Sequence, residues 1–381
     1  NPPRGSKSMG HPTGNTLLWP RLVEADRPLR VAHLLPNLLV GGRERMANAL
    51  CRDGERLGLA SLLIGYDPPP PQAAVLVAAA PYIQLDRQNG DFTEQLCAVL
   101  RSQAIDVAHA QGHIPACYLA SALARMSDAP ASLATMHVGL KGTRRWFWQI
   151  RRALRAMDGL SAVSIDMART YCRLSSRPVP VLTNGIDCQS LDWKGPIWPS
   201  ENSPFRFAML SRLARTKRHV DAIVAADRLI ASGYALELHI AGEGECLAEL
   251  ITLADSRPWL KLAGTVDPIE FLHGKHGFLM PSAAEGTPLA LLEAMAAGLP
   301  AIVSDLPSLR DISGDAASYV AVSAKADLAR AMMRLMCDPR HWEELSLAAR
   351  RRAQDFDIRE IAEHYRALYH HIAARHRRQL R

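Results

Sequence analysis

No stretch of this 381-residue chain approaches the roughly 18 to 20 consecutive apolar residues that a membrane-crossing helix needs; the run Ala73–Ala80 falls far short. The N-terminal residues lack the apolar core of a secretory signal, so nothing marks the chain for export. Cysteine occurs seven times, at scattered positions and never as C-x-x-C. That excludes a disulfide framework and a zinc ribbon, and it fits a reducing cytoplasm. Acidic residues are in deficit, 38 against 45 Lys and Arg, which gives +7. The surplus is local. Residues 141–155 hold Lys141, Arg144, Arg145, Arg151, Arg152 and Arg155 and no acid, and residues 366–381 hold five arginines and no acid. With those eleven set aside, 34 basic residues face the 38 acidic ones, a balance of −4. Such a distribution describes one or two charged faces rather than a protein that coats nucleic acid.

What is present is a repeated strand–helix rhythm, at a length that suits about two domains. Residues 1–28, rich in Pro and Gly, read as a flexible leader. Short apolar runs at Leu29–Leu35, Leu59–Gly65, Ile83–Leu85, Val107–Ala110, Ser132–His137, Gly159–Ser164 and Val179–Thr183 alternate with helical patterns. Buried runs of this kind belong to a parallel sheet covered on both faces. Residues 190–204, with three prolines and no periodicity, read as a linker between domains 29–189 and 205–357. The rhythm restarts at Phe205–Leu210 and continues through Leu236–Ala241, Lys261–Gly264, Gly277–Pro281 and Pro300–Ser304. A helical segment over 358–381 carries a stripe of Ile361, Tyr365, Leu368 and Ile372, which predicts that it docks back across the domains. The fold class is therefore α/β, two doubly wound Rossmann-like domains facing across a cleft, with ligands expected beyond the carboxyl ends of the strands.

Two segments carry the chemistry. In Pro281–Asp305, Thr287 suits an N-cap and Pro288 the first helical position, while Gly298 and Pro300 end the helix. Its N-terminal amides beside Gly286 form an anion site suited to phosphate. Glu293 falls on the apolar stripe of that helix, where a carboxylate is costly unless it is hydrogen-bonded or reaches a cleft. Glu285 sits in the loop eight residues earlier. A capped core helix with two incidental glutamates accounts for the same pattern. In Ser211–Lys217, Arg212 and Lys217 fall at a strand–helix turn, where a guanidinium fork and an ammonium can neutralise a diphosphate without a metal; a solvated basic loop is the plainer reading. Gly41-Gly42, His137 at a strand end and Asn184–Asp187 are weak signals singly.

Taken in order, these segments resemble the retaining GT-B glycosyltransferases of the GT4 family, from about Leu29 to about Tyr369. The E-x7-E signature stands as Glu285 and Glu293 within EGTPLALLEAMAAGLP, the Gly-Gly loop as GGRER, the second-domain cations as Arg212 and Lys217, and a G-x-G turn as Gly242-Glu243-Gly244. Arg43 stands where the family more often has alanine, Ser211 replaces a usual glycine, and Gln111 stands where many relatives have a second histidine. The resemblance implies a nucleotide diphospho-sugar donor, no cofactor and no metal. It implies that Glu293 takes the ribose hydroxyls, and that Arg212 and Lys217 hold the leaving diphosphate. Glu285 with Gly286, Thr287, Pro288 and Leu289 would position sugar and phosphate, His137 would reach the sugar from the opposite domain, and Gly42 would let its loop approach the donor.

The basic segment 141–155 predicts a helix with Trp146, Ile150, Leu154 and Met157 on one face. Trp148 lies with Arg144, Arg145, Arg151, Arg152 and Arg155 around the other, an arrangement suited to anionic headgroups and to a lipid-linked or glycan acceptor at the inner face of a membrane. A solvated face with a packed Trp148 is the alternative. Asp355-Phe356-Asp357, the only D-x-D, opens a helix rather than ending a mid-chain strand, and caps it. Three other functions fit parts of the pattern: a nucleotide-sugar epimerase of the same architecture, a sugar-nucleotide binder without catalysis, and an NAD-dependent oxidoreductase. The last has only Gly242-Glu-Gly244-Glu-Cys-Leu247 as a fingerprint, with the third glycine missing.

Overall fold

The computed structural model describes residues 27–379 apart from 72, 89, 141–142, 190–194 and 202. Nearly all of the expected leader, the first residues of the expected linker, and Lys141 lie outside the described residues. The first sheet contains β1 (Leu29–Leu35), β2 (Leu59–Gly65), β3 (Tyr82–Gln84), β4 (Val107–Gln111), β5 (Ala131–Met136) and β6 (Gly159–Ala162), in the order β3-β2-β1-β4-β5-β6. The second contains β7 (Phe205–Leu210), β8 (Leu236–Ala241), β9 (Leu260–Gly264), β10 (Gly277–Met280), β11 (Ala301–Ser304) and β12 (Ala317–Val320), in the order β12-β11-β10-β7-β8-β9. Strand neighbours pair in parallel throughout both sheets. Each sheet reverses its strand order beside its first strand, and the crevice at such a switch is where ligands bind in open α/β sheets.

One expected strand does not form. Val179–Thr183 contributes only an isolated bridge, Ala162 to Val181. Pro178 and Pro180 have no N–H to extend the ladder, so pairing stops after one bridge.

Each sheet is packed on both faces by apolar clusters. The last helix, Ile358–Gln379, belongs to the first of them in space. It buries Ile361, Tyr365, Leu368, Tyr369 and Ile372 against Leu29, Val31 and Leu133 of the first sheet and Met46 and Leu50 of the first helix, Gly42–Arg56. The crossing is pinned where Ile186 N–H donates to Phe356 O (2.9 Å) and Ile358 N–H donates to Ile186 O (2.8 Å). Gly185 is required there, since a Cβ would stand 2.9 Å from the Ile358 Cα.

Candidate active site

Because β7 and β10 are neighbours, the loops that leave their carboxyl ends, Ser211–Lys217 and Pro281–Pro288, emerge side by side. Ala283 N–H donates to Thr216 O at 2.8 Å and ties them together. A 3-10 turn, Arg215–Lys217, then aims Lys217 at Glu285, and Nζ donates to Oε1 at 2.6 Å. The Glu285 side chain is only 6% exposed, so the ammonium is what makes a charge tolerable there. Arg212 stands exposed in the same loop, with no ion pair among the described residues. The three charged residues expected to handle the diphosphate and sugar are thus within one loop pair.

Gly242 and Gly244 serve this loop indirectly. At Gly242 (φ +132°) a Cβ would lie 2.0 Å from Ser211 O, and at Gly244 (φ +150°) one would lie 2.5 Å from Leu213 O. The G-x-G turn therefore packs flush against the Ser211–Leu213 backbone, fixing the loop that presents Arg212.

The opposite wall approaches closely. A Cβ on Gly286 would meet the Met167 Cε at 2.8 Å and His137 O at 3.6 Å, and one on Gly42 would sit 4.0 Å from Leu289 Cδ1. Asn184 Nδ2 donates across the cleft to Thr287 O at 2.7 Å. Thr287 is not the N-cap that its position predicts. Pro288 is extended (φ −73°, ψ 117°), the helix begins at Leu289, and no side chain caps it. The Thr287 hydroxyl instead donates to Val163 O of the first domain, which satisfies it across the domain boundary.

His137 follows β5 and leans on a polar column inside the first sheet. Gln111 Oε1 can only accept, so His137 donates from Nε2 (2.8 Å), leaving its buried Nδ1 bare and unpartnered. The Gln111 amide in turn faces His33 Nδ1 (3.0 Å) and His109 Nδ1 (3.2 Å); His109 also meets Tyr369 Oη (2.8 Å) and Thr135 Oγ1 (2.7 Å). Burial, then the Arg43 charge, push His137 down to about 3, so its imidazole is neutral at physiological pH. Gln111 thus anchors the histidine rather than merely replacing another one. Sequence reading gave it no such role, because the column assembles only when β1, β4 and β5 lie side by side.

Glu293 is buried, and Arg45 of the first helix donates to its Oε1 from the other domain, while Oε2 has no partner. Arg45 was not singled out by pattern, since its partner lies 248 residues away. Beside this pair is a cavity of about 260 Å³ lined by Arg45, Arg52, Asp53, Asp187, Asp267 and Glu293, among others. Asp355 and Asp357, the only D-x-D, pair with Arg352 and with the Arg359 amide respectively.

The basic segment forms the helix Arg144–Ala156, capped by the Thr143 hydroxyl. Ile150, Leu154 and Met157 are buried, Trp148 is 62% exposed, and Arg144, Arg145, Arg151, Arg152 and Arg155 are exposed. Arg155 is partly engaged, donating to Ser175 O at 3.0 Å. No helix among the described residues is long and apolar enough to cross a membrane.

Comparison with known proteins bears on the family and the fold. The family model for Glycosyl transferases group 1 matches residues 196–352, and that for Glycosyltransferase Family 4 matches residues 40–190. The glycogen synthase of Mycobacterium tuberculosis is 30% identical over 285 residues, spanning 69% of this chain and 68% of that one. Sucrose-phosphate synthase from Thermosynechococcus elongatus superposes with a TM-score of 0.75 at 17% identity, over 91% of this chain and 99% of that one. The Anabaena protein HepE, solved in complex with UDP, gives 0.72 at 15% identity, over 88% and 98%.

Proposed function

The chain belongs to the GT4-like glycosyltransferases of GT-B fold, and from that membership we propose a retaining enzyme that moves a sugar from a UDP-linked donor to a saccharide or lipid-linked acceptor in cell-surface glycan synthesis. The observation that carries this reading is the Lys217–Glu285 pair, held at the switch point of the second sheet with Arg212 beside it. A donor diphosphate takes its place against Arg212 and Lys217, which stabilise the charge that grows as the bond from the sugar C1 to the phosphate oxygen breaks. Glu285, released from part of its contact with Lys217, accepts hydrogen bonds from sugar hydroxyls. His137, neutral and bare at Nδ1, accepts another from the opposite wall. The acceptor oxygen attacks C1 from the face the phosphate leaves, and its proton passes to that phosphate oxygen. No metal or cofactor is required by this set of side chains, since two cations already face the diphosphate.

Other functions fit less well. The Gly242–Gly244 turn is filled by the Ser211 and Leu213 carbonyls, which leaves no backbone cradle for the pyrophosphate of a dinucleotide. An epimerase needs an acid/base pair that these residues do not supply. We further assign the exposed arginines and Trp148 of Arg144–Ala156 to an anionic membrane surface, where a lipid-linked acceptor would be presented. A panel of nucleotide sugars, scored for thermal stabilisation, slow hydrolysis and acceptor-dependent release of UDP, GDP or ADP, tests the whole reading. UDP-sugars should stabilise and hydrolyse; stabilisation by NAD instead would reject it.

A further inference from the structure

Four neighbouring strands of the first sheet each leave an aliphatic side chain in solvent just past their carboxyl ends. Val40 follows β1, Ile114 follows β4, Val138 follows β5 and Ile165 follows β6, and each is 40–50% exposed. In the sheet these strands stand in the order β1-β4-β5-β6. With about 4.8 Å between neighbouring strands, the four side chains mark a row about 14 Å long on the edge that faces the cleft. Val75, exposed and bridged to Leu39 next to Val40, extends the row at one end. One exposed aliphatic needs no explanation, but a row of them along a cleft edge suits an apolar ligand.

A cation stands at the same edge. Arg43, in the first turn of the helix Gly42–Arg56, donates to Glu44 Oε1 from Nε (2.8 Å) and from Nη2. Its Nη1 makes no hydrogen bond to a described residue and faces Gly112, where a Cβ would stand 3.8 Å away, two residues before Ile114. Glu44 does not silence the charge: burial first, and then Arg43, lower the values of both His113 and His137. Between Val107 and Met157 the only acid is Asp128, which precedes β5 at its far end and pairs with Arg101. The row also has a way out of the cleft. The Trp146 ring packs edge-on against His113, with 6.2 Å between centroids, so the first turn of Arg144–Ala156 borders the neighbour of Ile114. That helix carries Trp148 and its arginines outward. A neutral sugar would need paired donors and acceptors along this wall, whereas an apolar row beside an unanswered guanidinium fits a ligand that is part hydrocarbon and part anion.

We propose that this wall of the first domain is a subsite for an amphiphilic acceptor, in which Arg43 takes an anionic group, phosphate or carboxylate, and the row of Val40, Ile114, Val138 and Ile165 takes the hydrocarbon chain attached to it. The proposal rests on the reading of the cleft as a transfer site with the acceptor on the first domain. It narrows that acceptor to an anionic lipid or a glycan carried on one, and it makes Arg43 a residue that determines acceptor specificity.

Calorimetric titration of the full chain with dodecyl phosphate and dodecanoate, below micelle formation, against inorganic phosphate and dodecyl maltoside decides it. One of the charged amphiphiles should bind wild type about tenfold or more tightly than either control. Arg43→Ala and Ile114→Ser/Val138→Ser should each weaken that binding about tenfold, the second with nucleotide binding unchanged. Arg43→Ala/Glu44→Gln removes both partners of the ion pair and carries the charge test if Arg43→Ala does not fold. Binding no tighter than that of inorganic phosphate overturns the apolar row, and binding no tighter than that of dodecyl maltoside overturns the role of Arg43. Binding that survives the Arg43 variants and is lost in Arg151→Glu/Arg152→Glu belongs to the outer helix face and overturns the subsite. Wild type that binds UDP, GDP or ADP but no amphiphile overturns the subsite and leaves the donor reading standing. Wild type that binds an amphiphile but none of the nucleotides overturns the transfer reading, and the acceptor role with it.

Discussion

At the cleft, charges meet in couples: Lys217 with Glu285, Arg45 with Glu293, Arg43 with Glu44. Each buried carboxylate would be costly alone, so pairing offsets that cost and keeps the cleft folded. Glu285→Ala or Lys217→Ala should each lower transfer by about 10²–10³ while circular dichroism still reports a folded protein; near-wild-type transfer in either would reject the assignment. His137 makes a different prediction. Its depressed value of about 3 places its titration below the working range, so the pH profile of transfer should show no inflection from this residue between pH 5 and 8, and His137→Gln should lower the rate without changing the shape of the profile. At this scale much of the site was legible. Glu285, Glu293, Arg212 and Lys217 stand within short windows whose spacing carries the signal. The contacts of Arg45 and Gln111 were not legible, because each meets a partner on a different strand or domain and no local period announces it.

Elements show where local grammar holds and where tertiary contact overrides it. Most strand positions followed from buried apolar runs, and β1, β2 and β7 form at the expected residues, whereas β12 was not among the expected strands. The cap at Thr287 did not, since a hydroxyl that can reach Val163 O across the cleft has no need to close its own helix. The G-x-G turn is an element-level commitment: Gly242→Ala brings a methyl group against Ser211 O at a positive φ, and should cost about 2 kcal/mol or more by chemical denaturation. A silent substitution would mean that the turn tolerates another path. The helix Arg144–Ala156 divides cleanly into a buried stripe and an arginine face with Trp148 outward. Sedimentation with phosphatidylglycerol vesicles should carry wild type down and leave Arg151→Glu/Arg152→Glu in the supernatant, with little difference on neutral phosphatidylcholine. Equal sedimentation of both proteins would remove the membrane from the account and leave a solvated face.

Across the whole molecule, buried histidines set a limit on acid tolerance. Burial brings His33 to about 4 and His137 to about 3 in the first domain, and His219 and His276 to about 4 in the second, with His109 also held well below its ordinary value. In the unfolded chain each takes a proton near pH 6.5, so between that pH and about 4 the unfolded state binds more protons than the native one. Stability is fully present above pH 6.5 and declines as the pH falls through this window. The melting temperature at pH 5 should lie about 5 °C or more below that at pH 7.5, and a flat profile would mean that these rings are hydrated in solution. The two-sheet plan itself was visible in the repeated strand–helix rhythm. How tightly the sheets face one another was not, since it depends on side chains such as Met167 and Leu289 meeting glycines of the other domain.

The helix Ile358–Gln379 gives the chain an order of manufacture. Residues translated after the whole of the second sheet supply one wall of the first domain's core. While a ribosome is still making the second domain, β1, β5 and the first helix are already outside the exit tunnel with the apolar face for Tyr365, Tyr369 and Ile372 uncovered. The core of the first domain is therefore completed only after the second domain has been made. Stalled chains ending before residue 358 should remain protease-sensitive in the first domain after the second has become resistant.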